Sequence, residues 1–388
     1  MTYARARLYL GIANVGFWVI VSALALLLNL PGQLFPVTET EPNEIAQRVA
    51  MMLGLYILFS LPFDIVGGYL LPRRYEKHAL PFGSFLLSWL RGVLVQFVVM
   101  LLTGMLLIVA GRQSNTIGVV VFVAGVVMAA LLAAQEALAR ASANLKVEPL
   151  VNMEEPRKVL EKWGLHMPDN VIVYSSQDQA FVGGLVGLPG LERLVLPASW
   201  FSLLNTEGVA AQIARRIGVL QNEQRAYGVF VAAIWNLVGF AIAMNVTGVG
   251  PIASVGDLMT VSLWFTLWQF LGLLLLPTVS RRGVFEADRF ARKAGASQEI
   301  MEKIISESDK LQDDEPARSR LIEWIFHPIP SVENRLVELN RKRARGILGA
   351  WHAARMALYL SWACLGFMSR AVHCNIGRSD LWVMYPGD

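Results

Sequence analysis

The side chains that most often bind metals or act as nucleophiles are scarce in this sequence. It contains two cysteines, Cys364 and Cys374, and two cysteines ten residues apart make neither a disulfide framework nor a metal cluster. Only five histidines occur, and none lies between His166 and His327. A zinc site needs several protein donors around the ion, usually histidine, cysteine or carboxylate groups. The sequence therefore predicts no bound metal and no cofactor.

These few residues are set in a sequence with the composition of a membrane protein. Of its 388 residues, 55% are hydrophobic and only 16% are charged, whereas a soluble domain carries about a quarter charged residues. The mean hydropathy is +0.47. A helix needs about 20 apolar residues to cross the hydrocarbon core. Seven stretches predict about seven spans: Leu8–Leu30, Val49–Leu71, Ser84–Ala110, Ile117–Leu138, Gly228–Val249, Leu258–Val279 and Ala350–Ser369.

The distribution of arginine and lysine predicts the orientation. Arg5 and Arg7 precede the first stretch, and other basic groups follow the second and sixth stretches and precede the seventh. All of them fall on one side of the membrane, which the positive-inside rule identifies as the cytoplasm. We therefore expect an integral protein of a bacterial inner membrane with a cytoplasmic N-terminus and an external C-terminus. The formal charge of +4 comes with no basic, aromatic-rich face, so nucleic-acid binding is not expected.

Polar residues inside the apolar stretches leave one alternative function open. Asp64, Arg91 and Gln96 lie in such stretches, and an acid inside a membrane span is a candidate proton or ion site. Asp64 follows Pro62 near the predicted cytoplasmic end of its span, which favours an interfacial position. A transporter or channel subunit is the alternative that these residues allow.

The apolar stretches divide the chain into five regions. They are a four-span membrane region (1–138), a cytoplasmic segment (139–227), two further spans (228–279), a second cytoplasmic segment (280–349), and a last span with an external tail (350–388). The fold class is thus mostly α, a polytopic membrane helix bundle with a cytoplasmic α+β domain.

The two cytoplasmic segments are expected to pack together. In the first, Asn170–Tyr174 and Arg193–Leu196 are typical of short strands. Trp200–Gln221 has a helical pattern, with Asn205 or Thr206 as its cap. The second segment is helical, with breaks at Pro316 and around Pro328–Pro330.

The helix that contains Glu207–Asn222 reads EGVAAQIARRIGVLQN. It resembles the motif helix of the CAAX prenyl protease and HtpX-like family of membrane zinc metallopeptidases. In that family two histidines at positions i and i+4 bind zinc, and a glutamate is the general base. The corresponding positions here are Arg215, Arg216 and Val219. The resemblance implies a metallopeptidase-like cytoplasmic domain.

Further segments in the same order support the resemblance, which covers roughly 170–339. Gln179-Ala180-Phe181 is similar to the family's substrate-edge segment. Ser280–Ala291 is similar to the segment that carries the third zinc ligand, and Val284 stands at the ligand position. Pro330–Leu336 is similar to a late segment, in which Ile329 replaces a histidine. The residues that match the family structurally are Gly218, Asn222, Asp288 and Arg335.

The chemistry of the site depends on the positions that do not match. Arg215 has no lone pair to offer, and Val219 and Val284 have no donor atom. A guanidinium also repels a divalent cation. Arg215 and Arg216 either pair with Asp288 or Glu286 in a closed pocket or face solvent and lipid headgroups, and the sequence leaves both interpretations open. The degenerate motif predicts that the chain is a pseudopeptidase and not an enzyme.

The predicted role is that of a scaffold, assembly or regulatory subunit of a membrane complex. The expected partners are the lipid bilayer, other membrane protein subunits, and a polypeptide that pairs with an edge strand near Val195 or Gln179–Phe181. An active membrane protease with an unusual site is the other alternative.

Overall fold

The structure, a computed structural model, describes residues 1–36, 41–77, 80–312, 318–319, 322–324, 327–341, 346, 348–372 and 375–383. The described residues as far as Ala143 form only helices and their connections. Their elements are α1 Tyr3–Leu27, α2 Leu30–Leu34, α3 Pro42–Ile65, a π-helical segment Val66–Leu70, α4 Leu71–Arg74, α5 Phe82–Ser114, α6 Ile117–Ala133 and α7 Gln135–Ala143.

From Lys146 onward the chain combines four short strands with further helices. The strands are β1 Lys146–Glu148, β2 Val171–Ser175, β3 Gly184–Val186 and β4 Arg193–Pro197. The helices are α8 Glu154–Lys162, α9 Trp200–Leu203, α10 Thr206–Gln221, α11 Gln224–Val246, α12 Val255–Ala294, α13 Gln298–Leu311, α14 Val332–Leu339 and α15 Ala353–Leu360. Single 3₁₀ turns occur at Leu150–Met153, Ser361–Cys364 and Ser379–Leu381.

The described helices include five that are long and apolar enough to cross a membrane, or six if α6 and α7 together form one span. The five are α1, the continuous helical run Pro42–Arg74, α5, α11 and α12. They coincide with predicted stretches, and their length and composition are those of membrane spans.

The predicted seventh span is not among the candidate spans of the described residues. Its helix, α15, has only eight residues, and a span needs about 20. The residues from Ala357 to Ala371 are nevertheless buried without a break. This stretch is apolar because it packs inside the protein.

The chain divides into two compact units, each assembled from separate pieces of sequence. Unit 1 comprises Met1–Ala134, Ala232–Gly272 and Ala357–Trp382, and unit 2 comprises Gln135–Val231, Leu273–Met356 and Val383–Asp388.

Within unit 1, the mostly irregular residues 361–372 and 375–382 are almost all buried. Gly68 and Gly377 touch there, since a Cβ atom on Gly68 would lie 2.1 Å from the Gly377 carbonyl oxygen. Irregular backbone at membrane depth is tolerated only where protein encloses it. Close glycine contacts provide that enclosure here.

Asp64 is one of the groups that fix this segment. It is buried (1% exposed) and accepts hydrogen bonds from the Trp89 indole at 2.9 Å, Arg370 at 2.9 Å and the Gly377 amide at 3.0 Å. The Arg370 guanidinium also lies 4.6 Å above the Tyr56 ring. The structure therefore places Asp64 in a closed ion pair.

Unit 2 contains a four-stranded sheet in the order β1-β2-β4-β3. β2 and β4 are parallel, and β1 and β3 flank them in antiparallel orientation. The predicted strands Asn170–Tyr174 and Arg193–Leu196 are confirmed as β2 and β4 to within a residue at each end. The helix α10 packs against α8 and against α13. The predicted break at Pro316 lies outside the described residues.

Candidate functional site

The motif helix α10 is fixed in unit 2 before any of its functional side chains is considered. Asn205 caps it by accepting a hydrogen bond from the Gly208 amide at 2.9 Å. The predicted helix from Trp200 breaks here into α9 and α10, because Asn205 has an extended backbone conformation. Every residue of α10 from Gly208 to Val219 is buried. The helix is thus surrounded by protein on all sides.

Arg215 pairs with Asp288 inside the domain. Its Nε donates to Asp288 Oδ1 at 2.7 Å. Arg335 holds the same carboxylate in a two-point contact, Nε to Oδ2 at 2.8 Å and Nη2 to Oδ1 at 2.7 Å. The side chains of all three residues are at most 2% exposed. One carboxylate therefore joins α10, α12 and α14 through charge-assisted hydrogen bonds.

Gln212 extends this network by one helical turn. Its Oε1 accepts from Arg215 Nη1 at 2.8 Å and from Arg216 Nη1 at 3.2 Å, while its Nε2 donates to the Ser308 hydroxyl at 2.8 Å. We did not predict a role for Gln212. The sequence signal for this role is the position of Gln212 three residues before Arg215, on the same face of the helix.

Arg216 has a different environment from that of Arg215. Its guanidinium lies 4.6 Å from the centre of the Trp200 ring, a cation–π arrangement. Its Nη2 donates to the Val182 carbonyl oxygen at 3.2 Å. Arg216 therefore connects α10 to the segment that leads into β3. Of the two open interpretations, the buried one applies to both arginines, and Asp288 is the partner of Arg215.

The remaining positions of the zinc motif lie in the hydrophobic core. Val219 and Val284 belong to one cluster of buried residues, and Ile329 lies in the same cluster. Glu286 instead accepts a hydrogen bond from Arg282 Nε at 2.7 Å and another from Gln224. Among the described residues, no three histidine, cysteine or carboxylate side chains cluster as metal ligands. The zinc ion that the resemblance implies does not fit the side chains at these positions.

The structural matches to the family act in helix packing. A Cβ atom on Gly218 would lie 2.4 Å from Cγ of Phe290, so glycine allows α10 and α12 to approach. Asn222 follows the end of α10, and its side-chain amide donates to the Gly218 carbonyl oxygen at 2.8 Å.

The predicted edge strand needs correction. Val195 lies in β4, which pairs with β2 on one side and with β3 on the other. Gln179 and Ala180 belong to a turn in which the Asp178 carboxylate accepts from the Ala180 amide at 2.9 Å. Ala180 and Phe181 are buried and Gln179 is exposed. The free edge on this side of the described sheet belongs to β3, which begins at Gly184.

A smaller polar group at β2 was also not predicted. The Tyr174 hydroxyl donates to Glu136 Oε1 at 2.7 Å, and Arg193 Nη1 donates to Glu136 Oε2 at 2.7 Å. Burial is the main cause that raises the pKa of Tyr174 to about 12, and the Glu136 carboxylate adds to the effect. Tyr174 therefore remains a neutral hydrogen-bond donor at physiological pH, and the group attaches α7 to the sheet.

Comparison with known proteins identifies the fold. No protein-family model and no curated protein sequence matches the chain. Among solved structures, the crystal structure of Ste24p from S. mikatae is similar, with a TM-score of 0.62 and 16% sequence identity. The similarity covers 84% of this chain and 81% of that one. The chain therefore has a Ste24p-like fold.

The prediction that the chain is not an enzyme is wrong. The finding that overturns it is the fold that the chain shares with Ste24p. The arginine and valine positions on α10 and α12 describe how this one site is built. They do not show that the whole chain lacks activity.

Proposed function

We propose that this chain is a metallopeptidase-related membrane protein that holds a polypeptide on the free edge of β3. In this role it serves as a scaffold, assembly or regulatory subunit of a membrane complex. The observation that carries the proposal is the position of β3, which pairs with β4 on one side and has no strand on its other side in the described sheet.

The chemistry of β3 suits the addition of another strand. Its residues Gly184, Leu185 and Val186 carry no charge, Leu185 and Val186 are buried, and the outer strand of a sheet can add an extended peptide through backbone hydrogen bonds. The opposite edge strand, β1, contains the exposed residues Lys146 and Val147. Lysine on an edge strand discourages pairing. The proposal therefore selects β3.

The motif helix supports this edge from behind. Arg216 donates to the Val182 carbonyl oxygen, two residues before β3 begins. Gly183 has a φ of +67°, and a Cβ atom there would lie 2.2 Å from the Val195 carbonyl oxygen. The backbone before β3 is thus fixed by a hydrogen bond and by a close contact. A rigid edge loses little conformational entropy when a peptide binds.

The orientation is part of the same proposal. We propose that the chain lies in a bacterial inner membrane with its N-terminus and the segments 139–227 and 280–349 in the cytoplasm, which the distribution of arginine and lysine supports. The partner polypeptide is then a cytoplasmic segment of another membrane subunit.

A membrane protease with an unusual site is the second candidate. The similarity to Ste24p over most of both chains favours it. In that case the polypeptide on β3 is a substrate, and it leaves the protein shortened.

Site-specific photo-cross-linking in native membranes tests the proposal. The cross-linking group replaces Gln179, an exposed residue before β3, and in the matched control it replaces Val147 on β1, which is 58% exposed. We expect one defined polypeptide adduct from the first position and none from the second. Equal labelling from both positions, or from neither, would contradict the proposal. A full-length partner indicates stable binding, and a shortened partner supports the protease candidate.

A further inference from the structure

A small cavity of about 50 Å³ lies within unit 2, and polar side chains line it together with the backbone of β3. The polar lining residues are Gln135, Arg225, Trp351, His352 and Arg355. Neither the motif network around Asp288 nor the pairing edge of β3 requires these side chains. A cavity of this size suits a few water molecules or one small polyatomic group.

The two arginines of the cavity are buried with donor groups left over. Arg225 is 2% exposed, and its Nε has no hydrogen-bond partner among the described residues. Arg355 is 7% exposed, and its Nε and Nη1 likewise have none there. The Trp351 indole N–H is a further buried donor of this kind. Four N–H donors on three lining residues are thus available to a ligand.

The existing contacts of the arginines hold the side chains in place but balance little of their charge. Arg225 Nη2 donates to the Gly187 carbonyl oxygen at 2.7 Å, and its nearest carboxylate oxygen belongs to Glu192 at 4.0 Å from Nε. Arg355 Nη2 donates to the neutral Gln312 side chain at 3.3 Å. None of the described residues that line the cavity is an aspartate or a glutamate. The lining therefore carries an excess of positive charge.

Helix position adds to this positive potential. Arg225 is the second residue of α11 and Arg355 is the third residue of α15. The first turn of a helix has a positive partial charge and favours acidic side chains. Two buried arginines in first turns are unfavourable without an anion, because removing an ion from water costs several kcal/mol.

We propose that this cavity is a binding site for a phosphate group, held by the guanidinium groups of Arg225 and Arg355. A phosphate group presents three strong acceptor oxygens and so can engage more of the four donors than a carboxylate can. Arginine forms its strongest hydrogen bonds with oxyanions of this kind. The cavity lies beside β3, but the proposal rests on the two arginines and not on polypeptide binding at that strand.

The source of the phosphate group is either the free ion or a phospholipid headgroup. Arg225 lies in the first turn of α11, a candidate membrane span. The ends of membrane spans lie at the level of lipid headgroups. Both sources share one chemistry, and a two-arm experiment separates them.

The test uses the full chain purified in maltoside micelles and phosphate-free buffer. The thermal unfolding midpoint is measured with inorganic phosphate against chloride at equal ionic strength. In the second arm it is measured with short-chain phosphatidylglycerol against the corresponding diacylglycerol. A ligand that binds only the folded state raises the midpoint. We expect at least one of the two phosphate probes to raise it, and the arm that responds identifies the source.

Two variants and a control locate the effect. Arg355→Gln and Arg225→Gln should weaken phosphate binding about tenfold or more, because each removes charge-assisted hydrogen bonds. Arg193→Gln removes a charge from a side chain that is 54% exposed and outside the cavity, and it should respond as the wild type does. If a glutamine variant does not fold, Arg355→Lys keeps the charge and loses the planar fork, and it should also bind phosphate more weakly.

The proposal is overturned if neither phosphate probe raises the unfolding midpoint of the wild-type chain. It is also overturned if the folded Arg225 and Arg355 variants respond to phosphate as strongly as Arg193→Gln does.

Discussion

At the scale of single residues, the defining feature is the Asp288 carboxylate between two buried guanidinium groups. Asp288 accepts from Arg215 and Arg335 at 2.7–2.8 Å. We predict that Asp288→Asn destabilises the protein by about 3–5 kcal/mol, because it leaves two buried cations without their counter-ion. Denaturant unfolding of the solubilised protein measures this loss.

The control for this variant is Glu333→Gln, which removes an exposed carboxylate from the same helix as Arg335. It should change the free energy of unfolding by no more than about 0.5 kcal/mol. Similar losses from both variants would show that the buried network does not stabilise the fold.

A second prediction at this scale concerns zinc. Arg215, Val219 and Val284 offer no donor atom where the family's ligands stand, so the purified chain should retain no stoichiometric zinc. Elemental analysis after dialysis against a weak chelator measures the metal content. Retention of about one zinc ion per chain would mean that other residues build a metal site.

The residue pairs were only partly predictable from the sequence. The pairing of Arg215 with Asp288 was one of two interpretations, because the resemblance to the family suggested that both residues lie near one site. The contact of Arg216 with Trp200 was not predictable, since it requires the break at Asn205 that separates α9 from α10. Buried partners depend on the path of the chain between them.

At the scale of elements, Gly218 sets the distance between α10 and α12. We predict that Gly218→Ala destabilises the protein by about 1–3 kcal/mol, because the new methyl group would overlap Phe290. Gly16→Ala in α1 is the matched control, since a Cβ atom there meets nothing within 4 Å. Unfolding midpoints of the two variants compare them directly, and equal midpoints would contradict this account of α10 packing.

The sheet illustrates what a sequence pattern leaves open at this scale. The patterns of β2 and β4 predicted their positions in the chain, but strand order is set by pairing between distant segments. β3 has only three residues, too few for a recognisable alternation. Because β3 pairs with β4, Val195 lies inside the sheet, and the outer strand on this side is Gly184–Val186.

At the scale of the whole molecule, the number of spans determines where the C-terminus lies. The described helices give six spans if α6 and α7 form one, and an even number places both termini on one side of the membrane. We therefore predict that N-terminal and C-terminal epitope tags are both protected from protease in intact cells and cut after lysis. Cleavage of the C-terminal tag alone in intact cells would contradict this prediction and indicate a seventh membrane span.

The apolar stretch Ala350–Ser369 accounts for the difference between the seven predicted spans and the five or six candidate spans of the described residues. Composition does not distinguish a stretch buried among helices from one that faces lipid. The residues of α15 are largely buried, and the helix ends after eight residues. Cys374, which would report the position of the tail, lies outside the described residues.

Hydrogen–deuterium exchange of the β3 amides tests the central proposal most directly, because strand addition bonds the backbone itself. The measurement compares the purified chain with and without the polypeptide identified by cross-linking. We predict that exchange slows at Gly184–Val186 and is unchanged at Lys146–Glu148, the strand on the opposite edge of the sheet. Unchanged exchange at Gly184–Val186 with the partner bound would contradict binding at this edge.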